Sequence, residues 1–141
     1  MTFFVDTNVI IYAVTPSRYT EPCAEILEAI ARLQVEGRTS TAVLEEVWHL
    51  ELRGRAGADT GTTARAHALF APLLPVTDDV FRRALALSAD GIGANDRIHV
   101  ATALANGCDV IVSADTSFDG IRGITRVDPL DDRARRRLLR T

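Results

Sequence analysis

Two hydrophobic rhythms divide this chain. One is short and unbroken, as in Phe3-Phe4-Val5; the other spaces apolar residues three and four apart over a dozen positions. The first rhythm predicts buried strands and the second predicts helices packed on them. Phe3-Phe4-Val5 is stopped by Asp6, Thr7 and Asn8, which puts Asp6 at the carboxyl end of a first strand. Val9 to Val14 continues as an apolar helix, broken at Thr15-Pro16-Ser17.

A longer helix is expected from about Glu21 to Glu36, with Cys23, Ile26, Leu27, Ile30 and Leu33 on its buried face and Gly37 as its stop. Arg38 to Thr41 reads as a short second strand. Val43, Leu44, Val47, Trp48, Leu50 and Leu52 mark another helix, closed by Gly54. Gly57 to Gly61 is a loop, and Ala64 to Ala71 a helix stopped by Pro72 and Pro75. Val76-Thr77 suits a short strand, with Thr77 capping a helix from Asp78 to Ala89 whose first-turn acids complement the helix dipole.

Beyond the Gly91 to Gly93 connector, Asn95 to Asn106 is a helix of small residues ended by Gly107. Cys108 to Ser113 holds the clearest later strand, Ile124 to Val127 an edge strand, and Asp131 to Arg140 a polar helix with a solvated cluster of Arg residues. Strands alternating with helices predict an α/β fold with a central, mostly parallel sheet flanked by helices. No repeat, linker or low-complexity segment interrupts residues 1–141, so one domain is expected.

Composition narrows the picture only a little. The formal net charge of -3 lacks the basic excess of a large nucleic-acid surface, although a few placed Arg residues suffice to hold a substrate. All 16 basic residues are Arg, which reads first as coding bias. Cys23 and Cys108 have no CxxC spacing and are expected as buried free thiols. No signal peptide or membrane-length apolar run is evident, so a cytoplasmic location is expected.

The candidate chemistry lies in acids that the strand ends bring to one rim, where α/β sheets collect ligands. Asp6 and Asp115, each directly after a predicted strand, share that rim if the strands are parallel. Asp96 opens the Asn95 helix. Glu45 and Glu46 flank the apolar face of their helix about equally, so periodicity does not choose between them. Two carboxylates about 4 Å apart repel by roughly 4 kcal/mol at an effective dielectric of about 20. A converging set therefore calls for protons or cations. Oxygen ligands with no evident His or Cys partner favour Mg²⁺ or Mn²⁺ and suit phosphodiester hydrolysis. His49, His67 and His99 are scattered and form no metal-spaced set. Arg97 is a candidate phosphate contact beside Asp96, and Trp48 a core or dimer contact.

Taken together, Phe4-Val5-Asp6-Thr7-Asn8, Ser40 to Val47, Asn95 to Ala103 and Ser113 to Phe118 resemble the PIN-domain family and, within it, the VapC-type toxins of toxin–antitoxin pairs. The resemblance implies a metal-dependent endoribonuclease with four acids, Asp6, Glu46, Asp96 and Asp115, supported by Thr7, Asn8 and Ser113. It selects Glu46 over Glu45 because the family places a branched aliphatic residue after its Glu, here Val47. It implies Mg²⁺, with Mn²⁺ as a substitute, held first by Asp6 and Asp96. It also implies an RNA substrate, a homodimer and a small antitoxin that inserts a basic side chain into the site. Many members carry a further Asp directly before the Phe, where this chain has Ser117; Asp119 is not its equivalent. Two other classes remain: a PIN-like binding module without turnover, and a metal-dependent phosphatase or phosphate-accepting domain. Against the latter stand Asn8, where a second Asp would be expected, and the absence of Lys.

Overall fold

The computed structural model describes residues 1–140. Its centre is β1 (Thr2–Val5), whose Phe3, Phe4 and Val5 are fully buried. Burial on both faces is what a continuous apolar run dictates in a parallel sheet covered by helices. β1 pairs in parallel with β2 (Glu36–Arg38) on one side and β3 (Val110–Val112) on the other, and β3 pairs with β4 (Thr125–Val127). The order is β2-β1-β3-β4, so the Thr125 strand is an edge as its composition predicts. In register, Val5 stands beside Val112, which brings Asp6 and Ser113 together at the carboxyl rim.

The helices are α1 (Thr7–Tyr12), α2 (Thr20–Ala31), α3 (Thr41–Leu52), α4 (Thr62–Phe70), α5 (Asp78–Leu85), α6 (Ala94–Ala105) and α7 (Asp132–Leu139). Their starts follow the capping rules. Ser40 accepts from Val43 N at the head of α3, Thr77 from Val80 N at α5, and Asp131 from Ala134 N at α7. Cys23 and Cys108 are buried and free. No helix among the described residues is long and apolar enough to cross a membrane.

Several expectations shift. α2 ends at Ala31, five residues short of Glu36, and Leu33 adopts a left-handed φ of 57° with its side chain 90% exposed. Leu33 is thus a turn residue, not part of the buried face. Gly37 does not end a helix; it sits buried in β2, where a Cβ would collide with the Ile30 side chain and approach the Phe3 ring to 3.1 Å. The second strand is accordingly Glu36–Arg38, and Thr39 and Ser40 beyond it turn their hydroxyls to other work. Val76-Thr77 forms no ladder; a single parallel bridge joins Leu74 to Ser40 instead. α5 stops at Leu85, short of Ala89. Trp48 is 58% exposed, so it is not a core residue. Arg135 leaves the solvated Arg cluster: it is buried, with an ion pair to Glu25 that fastens α7 to α2 and a second, within α7, to Asp132.

Candidate active site

β1 delivers Asp6 to the rim as the N-cap of α1, and the carboxylate is 5% exposed. A buried charge needs partners, and Asp6 has three. Its Oδ1 accepts from its neighbour's backbone, Thr7 N, at 2.8 Å. Its Oδ2 accepts from Ser113 Oγ at 2.7 Å and from Asn8 Nδ2 at 3.1 Å. Asn8 Nδ2 also donates to Ser113 Oγ at 3.0 Å, while Asn8 Oδ1 accepts from Ala114 N at 3.0 Å. Ser113 Oγ accepts once more, from Asp115 N. Asn8 and Ser113 are therefore the clasp between β1 and β3, and all three supporting residues named from sequence touch the site.

α3 carries Glu46 to the same place. Thr7 Oγ1 donates to Glu46 Oε2 at 2.7 Å, and His99 Nε2 lies 2.8 Å from Glu46 Oε1. Glu45 points elsewhere and is exposed beside His49 at 3.9 Å. The geometry thus separates the two acids that the helical wheel left equivalent. Ligand atoms of Asp6, Glu46 and His99 all lie within 4.8 Å of one another.

Asp96 and Asp115 stand outside that trio and are joined through Ser117. Ser117 Oγ donates to Asp96 Oδ2 at 3.2 Å, and Ser117 N donates to Asp115 Oδ1 at 2.9 Å. The residue that replaces the further Asp is therefore a bridge between two acids. Arg126 braces this loop from behind, donating to Ser113 O at 3.0 Å and gripping Asp119 through both carboxylate oxygens. Asp119 is thereby turned to Arg126 and stays outside the cluster.

The electrostatics divide the acids into two kinds. Burial pushes the Asp6 pKa up; its Ser113 bond, the charge of His99 and the Thr7 N–H oppose this without cancelling it, and Glu46 adds to the rise. Burial also raises Asp96, helped by the charges of Asp115 and Asp6 against Ser117 and His99. Burial acts on Glu46 in the same sense but loses to the hydrogen bond and charge of His99 and the Thr7 hydroxyl, so its pKa lies below the ordinary value. His99, disfavoured as a cation by burial, is held above its ordinary value by Glu46, then by Asp6 and Asp96.

His99 is the residue that sequence reasoning passed over. Comparing histidines with one another hides it; its spacing, three residues after Asp96 on one helix face, is the signal that exposes it. Arg97 is corrected in the other direction. Its guanidinium donates to the carbonyls of Leu87, Ala89 and Ile92, so it holds the loop before α6 together and is not presented to a phosphate. Asp90 in that loop is exposed. A separate open groove of about 880 Å³ runs between α3 and α4, lined by Leu44, Trp48, His49, Leu52 and His67 among others. It lies across α3 from Glu46.

Fold and rim define an α/β protein whose carboxylates converge at the carboxyl edge of a parallel sheet. The chain belongs to the PIN domain family, which matches residues 3–124. Ribonuclease VapC7 of Mycobacterium tuberculosis is 27% identical over 133 residues, covering 89% of this chain and 90% of that protein. Among solved structures, VapBC2 from Rickettsia felis, bound to a DNA fragment from its promoter, has a TM-score of 0.68 at 18% identity and covers 91% of this chain and 98% of its own. A toxin–antitoxin complex from Klebsiella pneumoniae has a TM-score of 0.65 at 22% identity, with coverage of 90% and 97%. FitAcB from Neisseria gonorrhoeae follows the same fold, with a TM-score of 0.63 at 19% identity and coverage of 92% and 98%.

Proposed function

We propose that this chain is a metal-dependent endoribonuclease, the toxin of a VapBC-type toxin–antitoxin pair, working as one domain over residues 1–141. The observation that carries the reading is the carboxylate pair Asp6 and Asp96, both with pKa values raised by burial and by neighbouring acids. Carboxylates so placed are short of positive charge, and a hard divalent cation supplies it. The donor set fits Mg²⁺ or Mn²⁺: Asp6, Asp96 and Asp115 offer oxygen, and Glu46 completes the acid set. The named relative, a ribonuclease 27% identical over most of both chains, supports RNA as the substrate.

When bound, the ion activates a water and neutralises charge on the phosphate oxygens. The chain's own residues do the rest. Asn8 and Ser113 fix the Asp6 carboxylate so that it does not rotate when substrate enters. Ser117 fixes Asp96 and Asp115 relative to each other. Glu46, ionised and held by Thr7 and His99, accepts a hydrogen bond from the attacking water and orients it toward phosphorus. The acids also repel free phosphate backbone, so productive binding and ion loading are coupled.

The partners follow from the same reading: RNA, a second copy of the chain, and a small antitoxin that places a basic side chain among the acids. The relatives solved as toxin–antitoxin complexes support the antitoxin. The test is cleavage of a small-RNA pool with Mg²⁺, Mn²⁺ or chelator. Discrete fragments that need metal are expected, with Asp6→Asn and Asp96→Asn each losing about 100-fold or more in rate. Full-rate cleavage by both variants would sink the assignment.

A further inference from the structure

Thr7 and His99 use one lone pair on each oxygen of Glu46, at 2.7 and 2.8 Å. Each oxygen keeps a further lone pair, so Glu46 is anchored from two sides and can still accept a hydrogen from a water. Glu46 differs from Asp6 and Asp96 in the kind of partner it has: it meets the imidazole at 2.8 Å, whereas His99 Nε2 stands 3.9 Å from Asp6, and the hydrogen-bond donors to Asp6 and Asp96 are the neutral groups of Thr7 N, Asn8, Ser113 and Ser117.

His99 itself has two possible roles, ligand or donor, and its far nitrogen separates them. The ring is 1% exposed and Nδ1 is buried without a hydrogen-bond partner among the described residues. An imidazole that ligates a metal through one nitrogen almost always donates its other N–H to a carboxylate or carbonyl. If Nε2 bound an ion, the proton would sit on Nδ1 as a buried, unpaired N–H. In the neutral ring with the proton on Nε2, the donor meets Glu46 and only a lone pair is left without a partner, which is the less costly arrangement. The Phe4 ring, 6.0 Å from the imidazole between centroids, packs beside the ring in this position.

We propose that His99 is a positioning residue, donating from Nε2 to Glu46 so that Glu46 stays outside the inner shell of the ion and serves the attacking water. The proposal rests on the nuclease reading above and assigns a division of labour within it. Asp6 and the Asp96–Asp115 pair hold the ion, and the Glu46–His99–Thr7 unit holds the water.

The test combines Mn²⁺ binding, followed by electron paramagnetic resonance of the purified chain, with cleavage of the RNA pool. Glu46→Gln is expected to leave Mn²⁺ affinity within about twofold while lowering cleavage roughly 100-fold or more. His99→Leu is expected to match that loss, with no further loss in the double variant, because the two residues act as a unit. His99→Gln, which keeps an N–H donor, is expected to recover at least about tenfold over His99→Leu. Pulsed spectra of bound Mn²⁺ are expected to show no nitrogen coupling from the imidazole. A nitrogen coupling that disappears in His99→Gln would overturn the proposal and make His99 a ligand. A tenfold loss of Mn²⁺ affinity in Glu46→Gln would also overturn it. Should His99→Leu not fold, those two measurements on the wild type, Glu46→Gln and His99→Gln still decide. Asp6→Asn provides the separate control: if it binds Mn²⁺ as the wild type does, the nuclease reading fails along with the inference built on it.

Discussion

At the scale of single residues, the site is a set of opposed pKa shifts, and these give it a pH dependence. Asp6 and Asp96 have folded pKa values above the ordinary 3.8, so their contribution to stability is full below that value and is lost as pH rises through the raised ones. His99, raised above 6.5, contributes fully below 6.5 and loses that contribution as pH climbs through its own raised value. Glu46 runs the other way, contributing above 4.5 and losing this only as pH falls through its lowered value. Above pH 4.5, where the contribution of Glu46 is complete, the metal-free site therefore becomes less stabilising as pH rises through the raised values of Asp6, Asp96 and His99. On the proposed nuclease reading, a bound ion reverses this, because it takes the place of protons at the carboxylates. Thermal melts with chelator and with Mn²⁺ at a hundredfold excess over Kd are expected to differ by about 2.7 kcal/mol, on the order of 5–10 °C near pH 8. The difference is expected to shrink toward pH 5. A gain independent of pH would count against these acids as the ion's ligands.

At the scale of elements, β1, β3 and α6 are legible because each carries its own boundary: an apolar run stopped by a polar residue, or small residues closed by Gly107. The stretch from Ala31 to Gly37 is not legible. Its helix is ended by Leu33, an L-residue in a left-handed conformation that no composition rule marks, while the glycine that looks like a stop is needed inside β2 for packing space. The left-handed geometry costs an L-residue roughly 1–2 kcal/mol, and a glycine returns part of this as unfolded-chain entropy. Leu33→Gly is therefore expected to stabilise the fold by roughly 0.5–1 kcal/mol in urea unfolding, with an unchanged slope. A destabilised variant would show that the exposed Leu33 side chain makes a contact that outweighs the strain. α3 lies between these cases. Its apolar stripe was readable, whereas the choice of Glu46 over Glu45 needed either the family pattern or the neighbouring Thr7 and His99, which belong to other elements.

At the scale of the whole molecule, the decisive fact is strand order. Placing β3 beside β1 brings Ser113 into contact with Asp6 across 107 residues of chain, and local periodicity carries no information about that neighbour. The same arrangement gives α3 two different sides. One presents Glu46 to the acids, and the other presents Trp48 and Leu52, 58% and 74% exposed, to the groove against α4. The acid cluster and the groove are thus set back to back on one helix. Trp48 is the single tryptophan of the chain. Its indole is half in water, and it sits apart from the carboxylates. The intrinsic fluorescence of the protein therefore comes from one known place. A protein partner that enters the groove is expected to shift that emission to the blue, while Mn²⁺ at the acids leaves its wavelength unchanged, so one optical signal tells occupancy of one face of α3 from occupancy of the other.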